Sequence, residues 1–398
     1  MTAAAHDFRL SDELVAGIRS RRSRAAIVGV IGLALLAAGF FLVSPNQFYR
    51  SYLWSYLFIL GLGLGPMAWL MLQYVTGGAW GVIIRRPAEA ATRTIPLLLL
   101  LFIPIVIGIN NLYPWAHANL VAADPVLKQK APYLNVGFFL IRAAVYFAGW
   151  LLFSWLLNRW SLEEDSGSPT AHAKMSKLSA PGLIFWCFSI TFMAIDWSMS
   201  MQPHWTSSMY GLLFVAGQGL SAIAFLITVM VLLSRYEPIR SIMTPRHLHD
   251  LGKFMLALVM VWAYFSFSQF LIIWAGNLPE EIPWYMARLN GGWEYVALAL
   301  VLGHFALPFA LLLSRDLKRN FKLLATIAMF VMFMRLVDLY WYVAPAFSAA
   351  SFHFSWMDIA APAGLIGIWV AFFLYQLEKR PLLPSHDPEL EEALEHGR

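Results

Sequence analysis

One cysteine in 398 residues leaves no internal disulfide and no thiolate set for an iron–sulfur cluster, which draws on several cysteines. That residue, Cys187, says nothing about redox compartment. Charge is scarce too: Asp, Glu, Lys and Arg make up 13% of the chain, against about 25% in an ordinary soluble domain. A bis-histidine haem needs facing histidines at one depth of a helix bundle. Of the ten histidines only His304 lies well inside an apolar run. His117, His204, His247, His249 and His353 stand at segment ends or in loops. No zinc spacing and no glycine-rich nucleotide motif occurs. The expected cofactor content is therefore none, covalent or metallic, and electron transfer would need partner chains.

What the chain does have is apolar length. It is 60% hydrophobic, with a mean hydropathy of +0.63. A helix crossing hydrocarbon needs about 20 mainly apolar residues. Ten segments qualify: 25–43, 53–75, 95–112, 134–157, 180–199, 208–233, 251–274, 293–313, 321–343 and 358–377. Continuous runs, rather than alternating strands of about ten residues, exclude an outer-membrane barrel. The expected fold is all-α and integral to a membrane, with ten transmembrane helices.

The net charge of +5 does not call for a nucleic-acid partner, because its distribution has a simpler cause. Ten spans put both termini on one side. Of the 28 Lys and Arg residues, 22 fall on that side, 4 on the other, and Arg142 and Arg335 lie within spans. The positive-inside rule makes both termini cytoplasmic. Arg19, Arg21, Arg22 and Arg24 precede an apolar run as in a signal peptide. That run ends at Ser44-Pro45 without a small-x-small cleavage pattern, so a retained first span is expected.

Spans 2–5 (53–199) and 6–9 (208–343) read as two copies of a four-helix unit. Spans 5 and 9 both end with a carboxylate followed by aromatics, Asp196-Trp197 and Asp338-Leu339-Tyr340-Trp341. Four helices return the chain to its starting side, so the copies would be parallel repeats. Spans 1 and 10 are then peripheral to two four-helix bundles. Residues 1–24 form a cytoplasmic N-terminal tail, 25–377 the membrane domain, and 378–398 an acidic cytoplasmic tail, solvent-exposed with a short helix near 388–395. The loop 160–178 is expected to be polar and mobile.

Ionisable groups at membrane depth are costly and by default mark a pathway or a site. Asp196 lies about four residues, ~6 Å, inside the outer end of span 5, and Arg142 ~12 Å inside span 4. Arg335 and Asp338 occupy the outer half of span 9, three residues apart on one face, so they can pair. Arg142 and Asp196 are the matching pair in the first unit. Glu294 and Asp358 open spans 8 and 10, and His304 is near the middle of span 8. All seven lie in the outer half or at the midplane, as they would around a hydrated cavity open to the outside. The plainer readings are that the pairs only hold helices together, that Glu294, Asp358, His204 and His353 are interfacial, and that His304 is a packing histidine. Thr228, Gln218 and Ser221 on span 6, with Ser266, Ser268 and Gln269 on span 7, could extend a cavity, although such residues commonly stabilise helix contacts.

Two blocks carry a family resemblance. One is Asp196-Trp197-Ser198-Met199-Ser200-Met201-Gln202-Pro203-His204-Trp205, followed by Ser208-Met209-Tyr210-Gly211. The other runs from Leu251-Gly252-Lys253-Phe254-Met255 through Trp262-Ala263-Tyr264-Phe265-Ser266-Phe267-Ser268-Gln269-Phe270 to Trp274-Ala275-Gly276-Asn277-Leu278-Pro279-Glu280-Glu281. Both resemble the F subunit of bacterial alternative complex III, an NrfD-like (polysulfide-reductase-like) membrane subunit. The likeness extends in hydropathy from about 25 to 378. It implies a quinol:electron-acceptor oxidoreductase with two related ten-helix membrane subunits, each made of two four-helix bundles and two flanking helices. Iron–sulfur and haem c centres would belong to other subunits. The C subunit is the family's better supported quinol site. The F subunit is labelled quinone-binding by analogy, and proton conduction or structure is its proposed role. Asp196 and His204 match the first block, and Gln269, Glu280 and Glu281 the second. Arg142, Glu294, His304, Arg335, Asp338 and Asp358 rest on depth alone.

The expected function is thus a membrane subunit of a respiratory quinol oxidoreductase in the bacterial inner membrane, without its own redox cofactor. Its partners would be an NrfD-like homologous subunit, an iron–sulfur subunit, haem c subunits and lipid. Its polar outer half would serve proton conduction or quinone binding. A secondary transporter and a purely architectural subunit are the alternatives. A transporter would need access from both faces and broken helices around a midplane site.

Overall fold

Leu- and Ala-rich runs carry little helix penalty, and each long run is bounded by a recognisable stop or start signal. The computed structural model describes residue 8 and residues 10–395. Residues 1–7 and 9 of the expected N-terminal tail, and 396–398 of the acidic tail, fall outside them. No strand occurs among the described residues, and nine helices are long and apolar enough to cross a membrane.

Helix α1 (Asp12–Leu42) starts within the expected tail, where the Ser11 hydroxyl accepts from the Leu14 amide. Asp12 and Glu13 then favour the helix N-terminus electrostatically. Helix α2 (Pro45–Thr76) is capped by Ser44 and stops at Gly77-Gly78, whose φ values of 70° and 104° only glycine adopts without strain. Next come α3 (Ala79–Thr92) and α4 (Ile95–Ile107), bent by 41° at the break between them. That bend precedes the third expected span, 95–112, which is itself interrupted: α4 has 13 residues, ~20 Å of rise, and gives way at Gly108 to a short helical turn, Ile109–Leu112. A Cβ at Gly108 would run into the Tyr49 ring. Counting α3 and α4 as one bent span gives ten.

The remaining helices are α5 (Val136–Asp165), α6 (Ala171–Trp197), α7 (Tyr210–Leu233), α8 (Pro245–Gly276), α9 (Trp293–Leu313), α10 (Phe321–Val343), α11 (Met357–Leu377) and the short α12 (Leu390–Glu395). Helix α2 packs on α4, α4 on α5, α5 on α6 and α6 back on α2. Likewise α7 packs on α8, α8 on α9, α9 on α10 and α10 back on α7. The two rings meet where α7 lies against α2 and α6, and α10 against α2. This position explains why the apolar windows of α2 and α7 are 89% and 83% buried while that of α8 is 22% buried.

Helices α1 and α11 pair with each other and lean on α2. Their contact runs on glycine: a Cβ at Gly29 would sit 2.6 Å from the Ile368 nitrogen, and one at Gly367 2.5 Å from the Gly29 nitrogen. Small residues let backbones touch where no hydrophobic drive separates helix from lipid.

The end of the bundle that carries the termini differs from expectation. Residues 160–178 and the acidic tail were expected to be mobile or solvent-exposed. Instead Glu164 and Asp387 are buried, and Leu382 and Leu383 belong to the core. Arg85 pairs with Glu89, Glu164 and Asp387, and Arg86 with Glu89 and Asp165. Arg380 reaches Glu89 at 3.0 Å. The Glu389 carboxylate accepts from the Gly78 amide and the Gln73 side chain, and Ala393 O meets His247 Nε2 at 3.0 Å. Hydropathy assigned these stretches to loops because they are polar, but Glu164, Asp165 and Asp387 each meet a buried arginine, Arg85 or Arg86. The tail straps the first ring to α8 of the second.

Candidate functional site

Among the buried Arg–Asp pairs near the end of the bundle opposite the termini, one belongs to each ring. In the first, Arg142 on α5 grips Asp196 on α6 with two parallel bonds, Nε–Oδ2 2.8 Å and Nη2–Oδ1 2.9 Å. Tyr146 OH donates to the same Oδ2 at 2.8 Å. The remaining Arg142 nitrogen donates to Tyr133 O, and the guanidinium stacks 3.9 Å from the Tyr133 ring centre. Every charged atom is matched, as a static joint requires.

The second pair is incomplete. On α10, Arg335 and Asp338 pair through Nη1 and Oδ2, and the Trp262 indole on α8 donates to Oδ2 at 3.1 Å. Asp338 Oδ1 has no hydrogen-bond partner, although the residue is buried. Gly217 on α7 makes room for the cation, since a Cβ there would overlap the Arg335 guanidinium. His304 is also fully buried and neither ring nitrogen is bonded. It stands edge-on to Trp262, ring centres 4.4 Å apart, in a π-helical stretch of α9 from Leu300 to Ala306. Such wide turns often mark functional positions. Orphaned buried polar atoms cost free energy and call for an explanation.

A cavity of about 630 Å³ lies between α8 and α9, floored by α10. Asp338, Trp262, Ser266, Gln269, Tyr285 and Trp341 contribute to its wall, and the rest is aliphatic or aromatic. From Met260 to Phe270 it follows α8 for ten residues, ~15 Å. The side chains around it, Tyr264, Phe267 and Val301, are 65%, 61% and 56% exposed, so the cavity sits beneath the bundle's apolar flank. Ser266 Oγ and Trp341 Nε1 are, like Asp338 Oδ1, buried without a partner. Gln269 separates this cavity from a second, of about 410 Å³, lined also by Ser207, Met209 and Glu281. Ser207 donates to its carbonyl oxygen at 3.1 Å.

A buried arginine that sequence reasoning left in a loop closes this end. Arg288 donates to the carbonyls of Trp284, Trp341 and Tyr342 and to Gln202 Oε1, with its guanidinium 3.8 Å from the Trp284 ring centre. Burial lowers its pKa from the ordinary guanidinium value. It ties the first motif block, through Gln202, to the ends of α10 and the 277–292 loop.

The other expected residues separate from this site. His204 pairs with Asp124 at 2.7 Å and is largely exposed, so it does not serve Asp196. Glu294 accepts from the Gly292 amide at 2.8 Å and caps its own helix. Asp358 was read as interfacial but is buried, bonded by Arg50 at 3.0 Å, Ser51 at 2.6 Å and Gln47 at 3.2 Å. Asp358 is a clamp between α2 and α11, and Arg50 is the partner missed by counting it as an outer-loop cation. Near the termini, Glu164, His172 and Asp387 are close enough to share a cation. Arg85 already engages both carboxylates there.

No family model and no curated protein matches the chain.

Proposed function

We propose that this chain is a multi-pass subunit of a bacterial inner-membrane quinol:cytochrome c oxidoreductase complex. It carries no redox cofactor and uses its second ring as the working part. One observation carries the reading. The stretch Trp262 to Gln269, which bears the likeness to the alternative complex III subunit, forms the cavity wall facing Asp338. A motif and an incompletely satisfied buried carboxylate thus fall in one place.

Other features support the same picture. The two closed rings agree with two four-helix bundles, and α1 with α11 forms the flanking pair. The Lys/Arg bias favours cytoplasmic termini, with the smaller cavity at the outer end and the larger one running from the outer side past the midplane to Phe309. In the first ring the saturated Asp196–Arg142 joint favours an architectural role for that half. In the second, Asp338 is the protonatable group at the wall of a mainly apolar cavity that serves proton exchange or quinone binding. A secondary transporter fits less well, because the cytoplasmic end is closed by a paired ion network rather than lined by free charge.

Asp338→Asn in the purified complex tests the reading. It keeps shape and removes the titration, so turnover or coupled proton release should fall while subunit composition is retained. Unchanged rate, pH profile and proton release would leave only the architectural role.

A further inference from the structure

We propose that the terminus-side end of the second ring, where the turn between α9 and α10 packs on the start of α8, binds the phosphodiester head of an anionic phospholipid. The inference needs the chain to span a membrane and is independent of the oxidoreductase reading.

The chain folds tightly at this end. Helix α9 stops at Leu313, one helical turn covers Arg315–Arg319, and α10 starts at Phe321. Ser314 Oγ accepts from the Leu317 amide, and the Asn320 side chain accepts from the amides of Lys322 and Leu323. Both junctions are thus capped, which fixes the turn. The turn packs on α8. Gly252 permits the approach, since a Cβ there would sit 2.9 Å from Lys318 Cγ. The Lys318 stem lies on α8 as a result, and the residue is only 6% exposed. A lysine beside a membrane span ordinarily extends its ammonium into water. This one is held in.

Its charge has no counter-ion. Among the described residues nothing pairs with the Lys318 ammonium, and both burial and the neighbouring Lys253 lower its pKa. Asp250, the acidic group on this face of α8, is engaged by Lys253 at 2.9 Å and lies 3.9 Å from His249. Arg319 Nε is also buried without a partner. The positive fields of Lys253, Lys318 and Arg319 all reach His249. A buried cation left single is costly, so an anion from outside the chain would stabilise this corner.

Position makes that anion a lipid head. Leu313 and Leu323, on either side of the turn, are 59% and 50% exposed. The cations therefore stand where the bundle's apolar flank ends. Acyl chains can lie along that flank while the phosphate meets Lys318, Lys253 and Arg319. Basic pockets between spans at a membrane surface take anionic heads in this way. A phosphatidylethanolamine head would bring its own ammonium into the same positive field, so phosphatidylglycerol should be preferred.

The test uses the full-length protein, stripped of lipid in mild detergent, with phosphatidylglycerol and phosphatidylethanolamine of matched acyl chains as probes. Adducts in native mass spectrometry and the thermal midpoint are the readouts. Phosphatidylglycerol should bind at least about fivefold more tightly, the worth of one cation near a membrane surface, and should raise the midpoint. Lys318→Met should erase the preference and the lipid-induced rise. It should also raise the midpoint of the lipid-free protein, because it removes an unpaired buried charge, whereas loss of a merely structural residue would lower it. Lys253→Gln, at an exposed position, serves if Lys318→Met folds poorly and should weaken phosphatidylglycerol several-fold. Lys174→Gln, an exposed cation on α6, should alter neither readout. Equal binding of the two lipids, a phosphatidylglycerol preference that survives Lys318→Met, or the same midpoint shift from inorganic phosphate alone would overturn the proposal, the last marking a site for a soluble anion.

Discussion

Asp196→Ala isolates the energetics of the first ring. The substitution removes a carboxylate that accepts two bonds from Arg142 and one from Tyr146, all at 2.8–2.9 Å. Three charge-assisted bonds at ~1.5–3 kcal/mol each set a gross upper limit. The net effect is smaller because the desolvation penalty of the carboxylate is returned. What remains is an arginine that is 8% exposed, with no counter-ion. Breaking one partner of a buried pair costs ~3–5 kcal/mol. Removing both charges, in Arg142→Leu/Asp196→Leu, should cost clearly less, and Tyr146→Phe about 1–2 kcal/mol. Stability can be followed by thermal aggregation of the detergent-solubilised protein and by unfolding in SDS mixtures. If the single and double variants lose equal stability, the pair is not the joint described here.

The second ring, strap and flanking helices yield parallel expectations. Asp338→Ala should destabilise by several kcal/mol because Arg335 loses its only carboxylate partner, and Arg335→Leu/Asp338→Leu should be milder in the same unfolding assay. Arg85→Leu leaves Glu164 and Asp387 without this cation and should cost ~3–5 kcal/mol, whereas Asp387→Ala, which leaves Arg85 two carboxylates, should cost ~1–3 kcal/mol; limited proteolysis of the tail reads the difference. Gly32→Leu drives a side chain into the Gly364 backbone and should loosen α1 from α11 at ~1–3 kcal/mol, visible as faster cross-linking of cysteines placed on α1.

Nine of the spans were legible because apolar length is a strong signal, and the pairing of Arg335 with Asp338 followed from i,i+3 spacing. Arg142 with Asp196 followed from depth on consecutive antiparallel helices. The interruption at Gly108, where α4 ends, was less visible, because the glycine sits in an apolar run and the Tyr49 ring packed on it is distant in sequence. Arg50 and Arg288 looked like loop cations because their partners, Asp358 and a set of carbonyls, are distant in sequence. The Arg85–Glu164–Asp387 cluster was hidden for the same cause, since hydropathy cannot tell a solvated charge from a paired one. His204 illustrates the opposite case: it shares a motif block with Asp196, and the structure gives it to Asp124 instead. The unfilled Asp338 oxygen and the cavity beside it required coordinates.

Membership in a redox complex is the central claim, and purification of the affinity-tagged chain from native membranes in mild detergent tests it most directly. The account predicts stoichiometric co-isolation of a multihaem c-type cytochrome, an iron–sulfur protein and a second membrane subunit of similar hydropathy, with quinol oxidation in the eluate. A chain that elutes alone, without haem absorbance or quinol oxidation, would contradict it.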